Sequence, residues 1–274
     1  MTATTVTPIG LTPDFDIRGL RRFTTAVNDT LAVMARNIIA YRRVPQLLVF
    51  STVQPVVFVL LFRYVFGGAI SVPGVPYVDF LMPGIFVQTV TFGALNTAIG
   101  LATDLNQGLI ERFRSLPMAR SAVLAGRTLA DLVRNVFVVA LMFAVGFAVG
   151  WRVHTGLLPL IAAVLLILLF GYALSWIFAT VGLIVKDPET AQAAAFPILA
   201  PLVFASNAFV PVASMPDWLQ PWATHQPVSV VITAVRDLTI GGATTFDLIA
   251  AVLWCVAILA VAAPFAVHRY RLAT

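Results

Sequence analysis

Residues 153 to 185 read VHTGLLPLIAAVLLILLFGYALSWIFATVGLIV, the longest stretch of this sequence without Asp, Glu, Lys or Arg. A helix rises about 1.5 Å per residue, so roughly 20 residues cross a hydrocarbon core of about 30 Å. Each charged side chain at mid-bilayer costs about 2.5 to 3.5 kcal/mol on the insertion scale, and is therefore normally kept out of such a segment. The stretch predicts a transmembrane helix.

The composition of the whole chain agrees with a membrane protein. Hydrophobic residues make up 60% of the 274 and charged residues only 11%, and the mean hydropathy is +0.95. A soluble domain averages about half apolar and about a quarter charged, so a soluble single domain is excluded. The net charge of +5 is scattered along the chain, which argues against nucleic acid as a partner. Cys255 is the one cysteine, so no intrachain disulfide forms.

Charge-free intervals predict an all-α integral membrane protein with six transmembrane helices. The third interval is short, so its helix is expected to begin in the preceding polar segment near Leu129. The predicted spans are residues 44–66, 80–103, 129–151, 157–185, 190–211 and 247–267. This transmembrane domain covers residues 44–274.

The basic residues predict the orientation. With both termini on one side, fourteen basic residues fall on that side, and Arg63, Arg152 and Arg236 fall on the other. The positive-inside rule then makes both termini cytoplasmic and residues 212 to 245 extracytoplasmic. Because the first apolar run begins only at Val44, a cleavable signal peptide is not expected.

The N-terminal region contains a predicted disordered tail, residues 1–16, and an amphipathic helix, residues 17–43. Apolar residues recur in this helix at spacings of three and four, at Leu20, Phe23, Val27, Leu31, Met34 and Ile38. Such a helix is expected to lie in the membrane interface, against lipids. It acts either as an anchor alone or as an anchor with a protein partner beneath it.

A polar segment between the second and third spans contains a second amphipathic helix. Leu109, Phe113 and Leu116 share one face, and Glu111, Arg112 and Arg114 are left for water or a partner. Pro117 ends this helix because proline lacks the amide donor and restricts the residue before it. Taken alone, the segment also fits a solvated loop.

The segment after the fifth span contains four prolines and two tryptophans, and residues 228–235 are too few to cross a bilayer. A re-entrant or interfacial helix is predicted there. Sites for chemistry are few: Lys186 lacks the glycines of a phosphate-binding loop, and the three histidines have no metal-site spacing. No cofactor is expected on this chain, and energy for any transport must come from another subunit.

The element order and two motifs resemble the type-2 ATP-binding-cassette (ABC-2) permeases, specifically the daunorubicin/doxorubicin-resistance branch. The first motif is QGLIERFRSLPMARSAVLAGRTLADL, residues 107–132, in which Arg127 stands where most members have Lys. The second is SNAFVPVASMPDWLQPWATHQPVSVVITAVRDL, residues 206–238. The resemblance begins near residue 17 and covers nearly the whole remaining chain.

The resemblance implies the permease subunit of an ABC exporter in a bacterial plasma membrane, with a second copy or a similar permease as partner. ATP and Mg²⁺ are expected on a separate ATPase subunit. Residues 17–43 match the connecting helix and residues 107–116 the coupling helix seated on the ATPase. The expected coupling residues are Glu111, Arg112, Phe113, Arg114, Leu116 and Arg36.

The same resemblance implies a substrate path along the second and fifth spans, for a small hydrophobic or amphiphilic substrate such as a drug, lipid or polyketide-like compound. The expected path residues are Gln88, Thr91, Asn96, Phe196, Phe204 and Asn207. Two alternatives stay open, an ion-coupled secondary carrier and a lipid-modifying membrane enzyme. The sequence does not identify the substrate, because apolar pockets discriminate weakly.

Overall fold

The computed structural model describes residues 17–43, 45–70, 72–109, 120–242 and 245–273, and within these ranges every regular element is helical. The ten α-helices of this part are α1 (Ile17–Arg43), α2 (Pro45–Leu60), α3 (Tyr77–Gly93), α4 (Leu95–Asn106), α5 (Arg120–Ala148), α6 (Leu157–Val185), α7 (Pro188–Phe204), α8 (Gln220–His225), α9 (Pro227–Ile240) and α10 (Thr245–Ala273). A π-helical turn, Leu61–Phe66, continues α2, and a 3₁₀ turn covers Val212–Ser214.

The central element is α6, which packs against α3, α4, α5, α7, α9 and α10. Ile167, Phe170 and Phe178 on this helix are completely or almost completely buried. Close packing to α4 depends on Gly182, because a Cβ at this position would overlap the carbonyl oxygen of Ala98. The helix that is apolar on every side in the sequence therefore contacts six other helices and leaves side chains such as Leu158 and Leu165 exposed for lipid.

A tight turn joins α6 to α7. Lys186 adopts a left-handed conformation with φ 63°, which ends α6. Asp187 then caps α7, accepting hydrogen bonds from the amide of Thr190 at 2.8 Å and from its hydroxyl at 2.7 Å. These bonds favour the carboxylate and lower the pKa of Asp187.

Four of the described helical segments are long and apolar enough to cross a membrane: Tyr77–Asn106, Ser121–Ala148, Leu157–Val185 and Thr245–Leu272. The segment Tyr77–Asn106 combines α3 and α4, which meet at Ala94. Helix α5 begins at Arg120, well before the third span expected from the sequence. Arg127, Asp131 and Arg134 lie within this helix, where Asp131 pairs with both arginines.

Two further apolar helices are interrupted by proline. Helix α2 contains Pro55, and together with its π-helical turn it reaches Phe66. Helix α7 has 17 residues and contains Pro197 and Pro201. Each proline removes one backbone donor from its helix and clashes with the preceding turn.

Helix α1 packs lengthwise against α5. Its contact face includes the buried residues Val33 and Asn37, while Val27, Leu31 and Ile39 are exposed. The exposed apolar side chains suit contact with lipid at the membrane interface.

At the end of the bundle away from α1, α9 packs against α3, α6 and α10. With 14 residues it is about 21 Å long, shorter than a hydrocarbon core of about 30 Å. Arg236 fixes α9 to α3 by donating to the carbonyl oxygen of Phe80 at 3.0 Å and lying 3.6 Å above its ring.

We expect Gly182→Ala to destabilise the protein, because the new methyl group meets a backbone carbonyl that cannot turn aside. Overpacking of this kind costs about 1 to 3 kcal/mol. Thermal unfolding in detergent measures the effect, with Gly68→Ala as the control because nothing lies within 4 Å of a Cβ there. Equal melting temperatures for the two variants would show that α4 and α6 can separate without cost.

Candidate functional site

A buried carboxylate, Asp131 on α5, accepts hydrogen bonds from two other helices. The hydroxyls of Tyr41 on α1 and Thr97 on α4 each donate to it at 2.6 Å. Arg134 and Arg127 lie 3.6 and 3.8 Å from its oxygens. Only 1% of Asp131 is exposed, and burial together with its charge raises the pKa of Tyr41, which favours the protonated phenol as donor.

The second carboxylate, Asp104 at the end of α4, connects α1 to α5. Arg36 on α1 lies 3.3 Å from it and Arg127 on α5 lies 3.6 Å from it. Arg127 also donates to the side-chain oxygen of Asn37 at 3.3 Å. Gly100 leaves room for this guanidinium, because a Cβ there would overlap it.

Helical spacing explains why α5 supplies three of these groups. Arg127, Asp131 and Arg134 are separated by four and three residues, so they lie on one face of the helix. We call Arg36, Asp104, Arg127, Asp131 and Arg134 the charge network. It contains three guanidinium groups and two carboxylates, and Arg127 contacts both carboxylates.

A cavity of about 280 Å³ lies beside the charge network, between α2, α3, α4, α5 and α7. More than half of its lining residues are polar. The lining residues are Ser51, Gln54, Pro55, Gln88, Thr89, Phe92, Gly93, Leu95, Asn96, Ile99, Arg134, Asn135, Val138 and Gln192.

Arg134 belongs to both the charge network and the cavity. Its guanidinium donates to the carbonyl oxygen of Gly93 at 2.7 Å and to the side-chain oxygen of Asn135 at 3.3 Å. Gln88, on α3, is 2% exposed, and its Oε1 has no hydrogen-bond partner among the described residues. The cavity thus contains a guanidinium group and an amide oxygen that has no hydrogen-bond partner among the described residues.

A group of phenylalanines extends from one lining residue of the cavity. Phe92 lines it, and its ring centroid lies 6.5 Å from that of Phe204 on α7. Phe204 in turn lies 6.0 Å from Phe58 on α2, so the two helices meet through aromatic rings. Phe62 and Phe209, stacked at 4.3 Å, extend this group, which we call the aromatic cap.

A separate polar cluster lies at the opposite end of the bundle from α1. Asp79, in the first turn of α3, is 2.8 Å from His154 and accepts a hydrogen bond from the amide of Arg152 at 3.1 Å. The backbone amide of His154 bonds to Thr239 on α9 at 2.9 Å. These contacts hold the loop between α5 and α6 against the bundle.

The structure brings only part of the expected path together. Gln88 and Asn96 line the cavity, whereas the hydroxyl of Thr91 bonds within its own helix to Val87 and does not line it. Phe196 and Phe204 are about half exposed on α7. Asn207 lies apart from the cavity, where its side chain donates to Thr233 at 2.9 Å.

Of the expected coupling residues, Arg36 is described and contacts Asp104. The others, Glu111, Arg112, Phe113, Arg114 and Leu116, lie outside the described residues. Sequence reasoning missed Asp104, Asp131 and Arg134, because acidic and basic residues near predicted span ends were interpreted as water-facing. The three-and-four spacing in α5 was a signal that could have identified a charged helix face.

Comparison with known proteins gives consistent matches. The ABC-2 type transporter family matches residues 28–240. The chain is 36% identical over 247 residues to the daunorubicin resistance ABC transporter permease protein DrrB1 of Streptomyces coeruleorubidus, covering 90% of this chain and 87% of that protein. It is 30% identical over 232 residues to the probable doxorubicin resistance ABC transporter permease protein DrrC of Mycobacterium tuberculosis, covering 82% of each. The putative transport permease ycf38 of Cyanophora paradoxa is 26% identical over 216 residues, covering 77% of this chain and 74% of that one.

We expect Asp131→Asn to destabilise the protein strongly, because two buried guanidinium groups lose a carboxylate. Breaking a buried ion pair costs about 3 to 5 kcal/mol. Equilibrium unfolding in mixed micelles measures this loss. Asp217→Asn is the control, since Asp217 is exposed and surface changes stay within about 0.5 kcal/mol. An Asp131→Asn variant as stable as the control would contradict a structural role for the network.

Proposed function

Because this chain belongs to the ABC-2 type transporter family, we propose that it is the membrane subunit of an ATP-driven exporter energised by a separate ATPase. The observation that carries the proposal is the family match over residues 28–240, which begins within α1 and extends to the end of α9. The chain is a multi-pass membrane permease and a transport subunit rather than an enzyme.

The proposed complex contains two permeases and two ATPase subunits in a bacterial plasma membrane. ATP and Mg²⁺ bind to the ATPase partner, and a second copy of this chain or a similar permease completes the path. The substrate is a hydrophobic or amphiphilic small molecule moved out of the cytoplasm. Two relatives are named for daunorubicin and doxorubicin resistance, which supports this substrate class.

We propose six spans, with residues 44–274 forming the transmembrane domain and 1–16 a disordered tail. The four long apolar segments account for four spans. The others are α2 with its π-helical turn, about 33 Å long over 22 residues, and α7 with the turns that follow it. Arg127 and Arg134 lie inside the segment Ser121–Ala148, so the other basic residues are distributed twelve to three, and this distribution supports cytoplasmic termini.

The coupling role is proposed for residues 107–116 and for α1 as the connecting helix. Residues 110–119 join α4 to α5, and Asp104 and Arg127 hold the flanking helices together near this connection. Arg36 connects α1 to the same carboxylate. A displacement of α1 or of the connection by the ATPase would therefore act directly on the charge network.

Reconstitution with a candidate ABC ATPase from the same organism tests the function. We expect ATP-dependent transport of at least one compound from a panel of neutral, cationic and anionic fluorescent amphiphiles in inverted vesicles. The purified chain alone should show no saturable ATP binding. Transport that persists without the ATPase and collapses with the proton gradient would establish an ion-coupled carrier instead.

Glu111→Lys tests coupling, because it places a third positive charge beside Arg112 and Arg114. We expect normal membrane insertion and at least a tenfold loss of transport per ATP, with weaker ATPase association. Folding should change by only about 0.5 kcal/mol, as for other surface substitutions. Glu189→Lys, a charge reversal at an exposed position in the first turn of α7, is the matched control. If the Glu111→Lys variant transports at the wild-type rate, Glu111 does not take part in coupling.

A further inference from the structure

Helices α6 and α10 pack against each other, and their C-terminal ends share a cavity of about 200 Å³. Both helices are long and apolar enough to cross a membrane, so this cavity lies where the hydrocarbon ends. We call it the boundary cavity. None of its lining residues belongs to the larger cavity beside the charge network, so the two are separate. The lining residues are Leu183, Ile184, Lys186, Arg269 and Leu272.

Two cations line the boundary cavity. Lys186 and Arg269 are both exposed, and neither takes part in an ion pair within the described part of the chain. The neighbouring carboxylate of Asp187 is bound to the amide and hydroxyl of Thr190. A helix C-terminus carries about half a negative charge, so the two helix ends offset only about one of the two cations. The boundary cavity therefore favours an anion.

Lys186 has a backbone conformation that lysine rarely adopts. Its φ of 63° lies in the left-handed region, and the residue that ends a helix in this way is usually glycine or asparagine. It is also the one lysine among the 17 basic residues of the sequence. Residues in such conformations cluster at ligand sites. The lysine here indicates a use for the ammonium group beyond ending the helix.

Arg269 supplies the second cation in a fixed orientation. Its guanidinium carbon lies 5.5 Å from the ring centroid of Phe265, one turn earlier on α10. A guanidinium presents paired N–H donors that match two oxygens of a phosphate, whereas an ammonium acts as a point charge. Arg269 and Lys186 together therefore suit a phosphate group.

The outer face of α10 favours a lipid as the source of that phosphate. Only 11% of the apolar stretch of α10 is buried, against 39% to 67% in the other three long segments. Val261, Phe265 and Leu272 are exposed, and with Arg269 they recur at spacings of four, four and three residues, which places them on one helix face. Acyl chains can lie along this face while a head group enters the boundary cavity.

The size of the boundary cavity agrees with a head group. Liquid water takes about 30 Å³ per molecule, so about 200 Å³ corresponds to roughly seven water molecules. A phosphate with its glycerol fits such a space, whereas the acyl chains of a phospholipid must stay outside it. The exposed side chain of Ile184 lies at the edge of the boundary cavity, where it can contact these chains.

We propose that the boundary cavity binds the phosphodiester head group of an anionic phospholipid. Arg269 and Lys186 contact the phosphate, and the acyl chains lie along the exposed face of α10. In the proposed topology the site belongs to the cytoplasmic leaflet, where basic pockets between transmembrane helices bind anionic head groups. The site is separate from the proposed transport path and does not depend on its substrate.

Titration of the full-length chain in nonionic detergent with phosphatidylglycerol and with phosphatidylcholine of the same acyl chains tests the site. Native mass spectrometry resolves the complex with one lipid and gives its dissociation constant. A basic group near the membrane surface strengthens binding of an anionic lipid about fivefold, so two should make phosphatidylglycerol bind about 25-fold more tightly. Glycerophosphoglycerol, the same head group without acyl chains, should bind far more weakly. Equal affinity for it would identify a site for a free solute and reject the lipid.

Two charge-removing variants assign the binding to the boundary cavity. Lys186→Gly is the sharpest, because glycine accepts the left-handed conformation, which limits its effect on folding. We expect Lys186→Gly and Arg269→Gln each to weaken phosphatidylglycerol binding about fivefold and to leave phosphatidylcholine binding unchanged. Arg269→Lys keeps the charge and should lose less than Arg269→Gln. Arg152→Gln is the matched control, because Arg152 is an exposed cation that lies before α6, at the opposite end of the bundle.

Equal affinities for the two lipids, or an effect of Arg152→Gln as large as that of Lys186→Gly, would overturn the proposal. If Lys186→Gly fails to fold, Lys186→Asn provides the same test, because asparagine also tolerates the left-handed region. If Lys186→Gly weakens association with the ATPase and leaves lipid binding unchanged, the boundary cavity is a protein contact and the proposal fails. A lack of ATP-driven transport would reject the proposed function and leave this lipid site unaffected.

Discussion

A charge buried away from water has to be paired, and this requirement sets the positions of α1, α4 and α5. Asp131 receives hydrogen bonds from α1 and α4 while it neutralises arginines of its own helix. Asp104 then joins the same three helices through Arg36 and Arg127. Each of these helices carries a polar group whose partner lies on another helix. Separating any one of them would therefore leave a charged or hydrogen-bonding group without its partner.

Arg134 connects the charge network to the cavity. The same guanidinium contacts Asp131, bonds to Gly93 at the end of α3 and lines the cavity. A change in the relative positions of α4 and α5 therefore alters the environment of the cavity without any long series of intermediate contacts. In an ATP-driven permease, such an element lets ligand and nucleotide influence one another through a shared rearrangement.

The sequence was sufficient for the helical membrane fold and for the family, which the comparisons confirm. The central position of α6 follows from its charge-free composition. The ion pairs within α5 did not follow, because a rule that excludes charges from spans cannot recognise charges that neutralise each other within one helix. The cavity was not predicted either. Gln54 and Gln192 lie on helices that are distant in sequence, and only the folded structure shows that they line the same cavity as Gln88.

The prolines of α2 and α7 make these two helices easier to bend. Pro55, Pro197 and Pro201 each remove a backbone hydrogen bond, so both helices resist bending less than an uninterrupted helix does. The floor of the cavity is built instead from α3, α4 and α5, with α4 held tightly to α6 at Gly182. Helix α3 also contains a proline, Pro83, but residues 77–91 of this helix are all buried, so neighbouring helices limit its bending. Bending of α2 and α7 would therefore change the width of the opening, while the residues of α3, α4 and α5 that line the cavity stay in position.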